Sequence, residues 1–321
     1  MKIIGVSDLH GILPLLPACD VVCICGDISP IKYDRYVYRV QEWFKVQFFN
    51  WVRTLPCKKV IFIGGNHDFF LDRTWESKPA YVIEDLKPIK DLIAESEVSD
   101  KLVYLENEAY QFEGINFYGC PAVQHLPGWG YYTATGEEYD QIPDNCDVLL
   151  THMAPAIKEV GRDLCLIRDF GSKKLAEVIR NRPNLRYALC GHIHDADHTP
   201  TPTTEGPICI NCSILDNKYE MAYKPVEVEI QMILLPNRYS DKNYLLFKGT
   251  EDDTYNYELR LQHNFGTRII FDEDHAHLVA IDPSGGPFLS IGYKINHNDL
   301  VLELVEITNS VLKFKLCNAE N

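Results

Sequence analysis

The chain has 321 residues, 46% hydrophobic and 24% charged, with a formal net charge of −15. That length buries one large core, or one core and a smaller one, without disulfides or metal staples. The acidic balance continues from Pro236 onward, with 13 Asp+Glu against 8 Lys+Arg. It lacks the basic footprint of a general nucleic-acid binder, and no apolar run approaches the ~20 residues of a membrane helix.

The N-terminus, MKIIGVSDLHG, enters a strand-like run directly after Met1. With no apolar h-region and small-residue cleavage site, it reads as lacking a signal peptide. The runs KIIGVSD, VVCICGD, KKVIFIGGNHD, INFYGCPA, DVLLTHMAP, LRYALCGHIH and PICINCSI are short, apolar and rich in β-branched residues, and are predicted strands. Between them, RYVYRVQEWFKVQFFNWVRTL and GSKKLAEVIRNR carry apolar residues at helical spacing, the second with Gly171-Ser172 as cap and Pro183 as stop. Continuous apolar strands joined by helices predict buried sheets covered by helices, an α/β domain over residues 1–235.

After LLPNRYSDKN the pattern is helix-poor: NYLLFKG, TYNYELRL, TRIIFDE, AHLVAID, FLSIGYKI, DLVLELVEI and VLKFKL alternate with turn signals. Residues 236–321 are expected to form a small all-β domain, a sandwich or curled sheet, whose role stays open between capping the active site, recognising a protein partner and self-association. The polar stretches FDEDHAHLV and KGTEDDTYN read there as turns, not metal sites. The 11 cysteines sit mostly in apolar runs, as buried reduced thiols of a cytoplasmic protein would. Cys209 and Cys212 have no second CxxC to complete a zinc site.

The chemistry lies at five strand ends: Asp8-Leu9-His10, Gly26-Asp27, Gly64-Gly65-Asn66-His67-Asp68, Thr151-His152 and Gly191-His192-Ile193-His194. In α/β sheets, ligands bind beyond the carboxyl ends of the strands, so these loops can converge. Asp8, His10, Asp27, Asn66, His152, His192 and His194 are donors that suit two transition-metal ions, with positions left for water and substrate. DxH or GD alone signifies little more than a strand end or a turn; the ordered set carries the signal.

That set, DxH, GD, GNHD, TH and GHxH, resembles the calcineurin-like metallophosphoesterases over about residues 1–235. HLPGWGYY, IPDNCDVLLTHMAP and the NCSI after the GHIH loop are similar to the small metallophosphoesterase-domain proteins of the brain-239 type. The resemblance implies a two-sheet α/β/β/α sandwich. It implies a phosphoesterase with two divalent or trivalent ions (Mn, Fe, Zn, Ni or Mg, manganese among the first to try). A phosphodiester or small phosphomonoester would be hydrolysed by a metal-bridging hydroxide, without a covalent intermediate. Carried over by position, one ion takes Asp8, His10, Asp27 and His194, and the other takes Asp27, Asn66, His152 and His192, with Asp27 as bridge. His67 then faces the substrate as cation or proton donor, with Asp68 either orienting it or serving as a capping carboxylate behind the ligands.

Two departures bear on function. Protein phosphatases of the superfamily carry arginines near the GD and GNHE motifs. GDISPIKYD and IGGNHDFF show none, so the clamp for a doubly charged monoester reads as missing and a phosphodiester is favoured. Some relatives replace one GHxH histidine and lose activity, whereas His192 is present here. Trp129, Tyr131 and Tyr132 in the Gly-rich loop are expected to stack a nucleobase, and His125 reads either as a contact to a phosphate oxygen or as a plain surface residue. Asp195, Asp197 and His198 read as solvated loop residues. The alternatives are a nuclease of the same family, or a non-catalytic scaffold of this fold.

Overall fold

The computed structural model describes residues 1–72, 86–182, 184–203 and 206–230, together with six strands beyond residue 231. The chain divides into two compact units, Lys2–Val228 and Glu229–Asn321, the latter taking in Met1.

In the first unit, all seven apolar runs are strands. β1 (Lys2–Val6), β2 (Val21–Cys25), β3 (Lys59–Ile63) and β4 (Leu102–Tyr104) run parallel in one sheet, with β13 (Val226–Glu229) beside β1. The second sheet holds β6 (Ile115–Cys120), β7 (Val148–Thr151), β10 (Tyr187–Cys190) and β12 (Ile208–Asn211), also parallel. β5 (Glu108–Phe112) and β11 (Thr201–Pro202) are its antiparallel edges. Every residue of β2 and β7 is buried, as expected of strands covered on both faces.

The two sheets pack on each other, β2 against β7 and β3 against β6 and β7. Bare backbone makes the approach possible. A Cβ on Gly5 would lie 2.8 Å from Cys212 Sγ, and one on Gly119 would lie 2.6 Å from Ile63 Cγ2.

The outer face of the first sheet is covered by α1 (Val37–Trp43), which passes through a π-helical turn (Phe44–Phe48) into α2 (Phe49–Thr54). The predicted helix over these residues therefore contains a wider turn, one that buries Phe44, Phe48 and Phe49 together. The Phe48 ring lies 4.9 Å from Phe44 and 5.6 Å from Phe62 of β3, contacts that add to the transfer energy of burying such rings. A six-residue α3 (Ile89–Ala94) precedes β4. A small hairpin, β8 (Arg162–Asp163) and β9 (Arg168–Asp169), then leads to α4 (Lys173–Arg180). α4 starts where the sequence predicts, with the Ser172 hydroxyl accepting Leu175 N–H at 3.0 Å, a cap worth about 1 kcal/mol. It buries Leu175, Ala176, Val178 and Ile179.

The second unit is an antiparallel sheet of β14 (Met232–Leu235), β15 (Tyr244–Lys248), β16 (Tyr257–Arg260), β17 (Lys294–His297), β18 (Leu300–Ile307) and β19 (Val311–Cys317). Their order is β14-β15-β16-β19-β18-β17. β14 pairs with β15, so this unit starts ahead of the expected boundary at residue 236. FDEDHAHLV and the EDD turn lie outside the described residues. Among the described residues, no helix is long and apolar enough to cross a membrane.

Candidate metal centre

Every ligand-type residue singled out from the sequence sits just past the carboxyl end of a parallel strand: Asp8 and His10 after β1, Asp27 after β2, Asn66 after β3, His152 after β7, His192 and His194 after β10. Four of these seven have left-handed backbones, Asp8 (φ 55°), His10 (44°), Asp27 (51°) and His192 (72°). Such conformations cost of order 1–3 kcal/mol each and persist where the surroundings enforce them. Here the first loop is laced to the second, Asp8 N donating to Gly26 O (3.0 Å), His10 N to Asp27 O (2.9 Å) and Gly11 N to Ile28 O (2.9 Å). A parallel bridge between Ser7 and Ser213 ties the two sheets at the same level, and the Ser213 hydroxyl donates to Asp8 Oδ2 at 2.6 Å.

The side chains converge. His194 Nε2 is 3.3 Å from Asp8 Oδ1 and 3.4 Å from His10 Nε2. Asp27 Oδ2 is 3.7 Å from His10 Nε2 and 3.3 Å from His152 Nε2. Asn66 Oδ1 lies 3.0 Å from His152 Nε2 and 2.8 Å from His192 Nδ1. Asp27 thus stands between the group holding His10 and the group holding His152 and Asn66.

The donors fit cations. His152 and His194 present Nδ1 to backbone carbonyls, Cys25 O at 2.8 Å and Asp216 O at 2.9 Å. A donated Nδ1–H there turns Nε2 toward the carboxylates, the arrangement that fixes metal-ligating imidazoles. His10 differs, because its Nδ1 is buried without a hydrogen-bond partner among the described residues. A Cβ on Gly65 would overlap Asp27 Oδ1, and one on Gly191 would overlap Asp8 Oδ2. These glycines leave the room in which the carboxylates point inward.

Burial and mutual charge set the titration of the cluster. Burial holds His10 at about 4, against the pull of Asp27 and Asp8. Burial also holds His192 at about 4, with the charge of His152 adding to the effect. For His152 and His194 burial works the same way and loses. Asp27 lifts the first to about 9, and the hydrogen bond and charge of Asp8 lift the second to about 9. Asp8 and Asp27 are both held low, their burial outweighed by His194 and His152 respectively.

His67 borders the cluster. Its N–H donates to Asp27 Oδ1 (2.8 Å), and its ring meets His10 edge-on at 4.9 Å. The carboxylate beside it is Asp34, whose Oδ2 lies 2.9 Å from Nδ1. Asp68, expected in that position, points elsewhere. It is fully buried and accepts backbone N–H groups from Ile28 (3.0 and 3.1 Å), Ser29 (2.8 Å) and Gly65 (2.9 Å). Burial, then the charge of Asp27, lift it to about 6 in spite of those donors.

The Gly-rich loop also departs from expectation. Trp129 is no open platform: its ring packs on His67 (4.6 Å) and Phe69 (5.9 Å), and the Arg35 guanidinium lies 4.8 Å from its centroid. Tyr131 is a core residue, 9% exposed, with its hydroxyl 2.6 Å from Tyr104 Oη and its amide bonded to Asp72. Tyr132 is 42% exposed. His125 is exposed with a left-handed backbone (φ 68°), and no ring contact, ion pair or hydrogen bond joins it to the cluster among the described residues. Asp195 and His198 are not free loop residues either. Asp195 is buried and accepts the Tyr223 hydroxyl at 2.6 Å, and His198 stacks on Tyr223 at 3.8 Å.

Sequence reasoning missed Asp34, Arg35 and Tyr219. A short 3-10 turn, Ile31–Tyr33, brings Asp34 and Arg35 back toward His67. Arg35 corrects the reading of an arginine-free rim: it lies over both Phe69 (4.4 Å) and Trp129. Tyr219 touches His10 and His194 edge-on.

The family model described as calcineurin-like phosphoesterase matches residues 1–196. A UPF0046 protein of Caenorhabditis elegans is 27% identical over 72% of this chain and 82% of its own length. Human metallophosphoesterase domain-containing protein 1 is 24% identical over 71% of each. An uncharacterized protein of Methanocaldococcus jannaschii is 26% identical over 61% of this chain and 81% of its own.

Proposed function

The chain belongs to the calcineurin-like phosphoesterases, and from that premise we propose that it hydrolyses a phosphate ester at this centre, a phosphodiester before a small monoester. Asp8, His10, Asp27 and His194 would hold one metal ion, and Asn66, His152 and His192 would hold a second, with Asp27 shared. When bound, such a pair supplies Lewis-acid charge neutralisation at the phosphoryl group and a water acidic enough to ionise near neutral pH. The observation that carries the reading is the clustering of Asp8, His10, Asp27, His152 and His194, with Asn66 bridging His152 to His192 and the His67–Asp34 pair at the edge.

The chain's own residues then divide the remaining work. Asp34 accepts the His67 Nδ1–H, which leaves Nε2 as the position from which a proton passes to the leaving oxygen. Trp129 packs on the His67 ring and helps to fix its direction. The ion-pair partners of Asp8, Asp27 and Asp34 among the described residues are histidines. Arg35 sits at the rim on two ring faces. A site so sparing of fixed side-chain cations suits the single charge of a diester better than the double charge of a monoester, and this replaces the argument from a missing arginine. The ten described cysteines are free thiols, which supports a reducing, cytoplasmic setting.

The test is hydrolysis of bis-p-nitrophenyl phosphate against p-nitrophenyl phosphate. Metal-stripped protein would be reloaded with Mn²⁺, Ni²⁺, Zn²⁺ or Mg²⁺, beside the Asp27→Ala variant. Metal-dependent turnover, faster on the diester and absent in the variant, is expected. Faster turnover of the monoester would reverse the substrate preference. No turnover with any metal would count against the enzyme and favour the scaffold.

A further inference from the structure

Tyr219 lies outside every motif, yet it meets the two histidines placed on the first ion. Its ring is edge-on to His10 (5.0 Å, 88°) and to His194 (5.3 Å, 86°). It is 43% exposed, while the two histidines are each 8% exposed, so it marks the mouth of the centre. Its backbone is left-handed (φ 62°), uncommon for a bulky side chain and worth a functional question.

The turn that presents it is firmly built. The Asp216 carboxylate accepts Lys218 N–H (2.9 Å) and Glu220 N–H (3.0 Å), and Tyr219 N donates to Asp216 O (2.9 Å). The same carbonyl faces His194 Nδ1 at 2.9 Å, so ligand and turn are fixed together. The Tyr219 hydroxyl has no hydrogen-bond partner among the described residues. An unspent donor is thus held in place above buried imidazoles, at the mouth of a site built from histidines and aspartates.

We propose that Tyr219 is a substrate-contacting residue, its phenol donating a hydrogen bond to a non-bridging oxygen of a phosphoryl group bound over His10 and His194. A neutral donor adds specificity for the phosphoryl group without the fixed charge a dianion would call for. The inference rests on the phosphoesterase reading and deepens it.

The experiment compares wild type, Tyr219→Phe and Tyr219→Ala, each reloaded with metal and assayed for metal content. Inorganic phosphate binding is measured by calorimetry, and kcat/KM on bis-p-nitrophenyl phosphate. Both variants are expected to keep the wild-type metal content. Tyr219→Phe should weaken phosphate binding and lower kcat/KM about tenfold or more, the scale of one hydrogen bond to a charged group, with Tyr219→Ala adding little. A Tyr219→Phe protein that binds phosphate and turns over like wild type, with only Tyr219→Ala impaired, would overturn the proposal and leave the ring as packing for the imidazoles. Loss of metal from Tyr219→Phe would overturn it too. Wild type that turns nothing over, yet binds phosphate more tightly than Tyr219→Phe, upholds the contact and fails the phosphoesterase reading. Wild type that neither binds phosphate nor turns over the diester fails both.

Discussion

Asp34 Oδ2 and His67 Nδ1 stand 2.9 Å apart, both largely buried, although 33 residues separate them in the chain. A carboxylate on Nδ1 fixes the tautomer and direction of an imidazole.

If His67 is the proton donor, His67→Ala lowers kcat by about 10²–10⁴-fold and leaves the metal content unchanged. Asp34→Asn should lower kcat less than that, with KM and metal content preserved. The decisive comparison is the double variant. Adding Asp34→Asn to His67→Ala should cost nothing further, because the carboxylate acts only through the ring. Additive losses in steady-state kinetics would give Asp34 a separate role.

Asp68 is expected to matter for folding. Its oxygens take three backbone amides, from two loops that carry Asp27 and Asn66. Asp68→Ala leaves those donors buried without an acceptor, at about 3 kcal/mol or more. Urea unfolding should show the loss as a lower midpoint with unchanged slope. A variant as stable as wild type, but inactive, would restore Asp68 to the chemistry.

Much of this centre was legible because it lies at the ends of strands that announce themselves. Five-residue runs such as VVCIC and KVIFI, buried on nearly every position, suit central strands covered on both faces, and parallel strands place their ends together. What remained hidden depends on loops. No periodicity tells that Pro30 and the Ile31–Tyr33 turn fold Asp34 and Arg35 back toward His67, or that Asp216 builds a turn to lift Tyr219. Proximity in sequence misled in turn: Asp68 adjoins His67 but faces away, and Tyr131 adjoins Trp129's loop but belongs to the core. The mixed polarity of EAYQF likewise conceals β5, an exposed edge strand.

Tyr131 explains why Gly64 precedes the site loop. A Cβ at Gly64 would overlap the Tyr131 ring and lie 2.6 Å from its hydroxyl. The ring cannot withdraw freely, since Tyr104 holds its oxygen and Asp72 its amide. Gly64→Ala should therefore destabilise by about 1–3 kcal/mol through overpacking. The same change made in a Tyr131→Leu background should cost clearly less. Thermal or urea unfolding of the four proteins closes the cycle, and equal costs in both backgrounds would place the conflict elsewhere.

Metal loading tests the centre at its middle. Asp27 Oδ2 faces His10 Nε2 on one side and His152 Nε2 on the other, so both ions would lean on one carboxylate. Asp27→Ala should then lose both ions, measured by metal analysis after dialysis. Asn66→Ala, which removes the amide oxygen that meets His152 and His192, should lose one. Because a ligand bound only by the folded state stabilises it, chelation should lower the Tm of wild type, and re-addition of metal should restore it. Asp27→Ala should show no such shift, Asn66→Ala a smaller one. An Asp27→Ala protein that keeps two equivalents would remove the shared carboxylate from the site, and with it the reason for two ions to sit side by side.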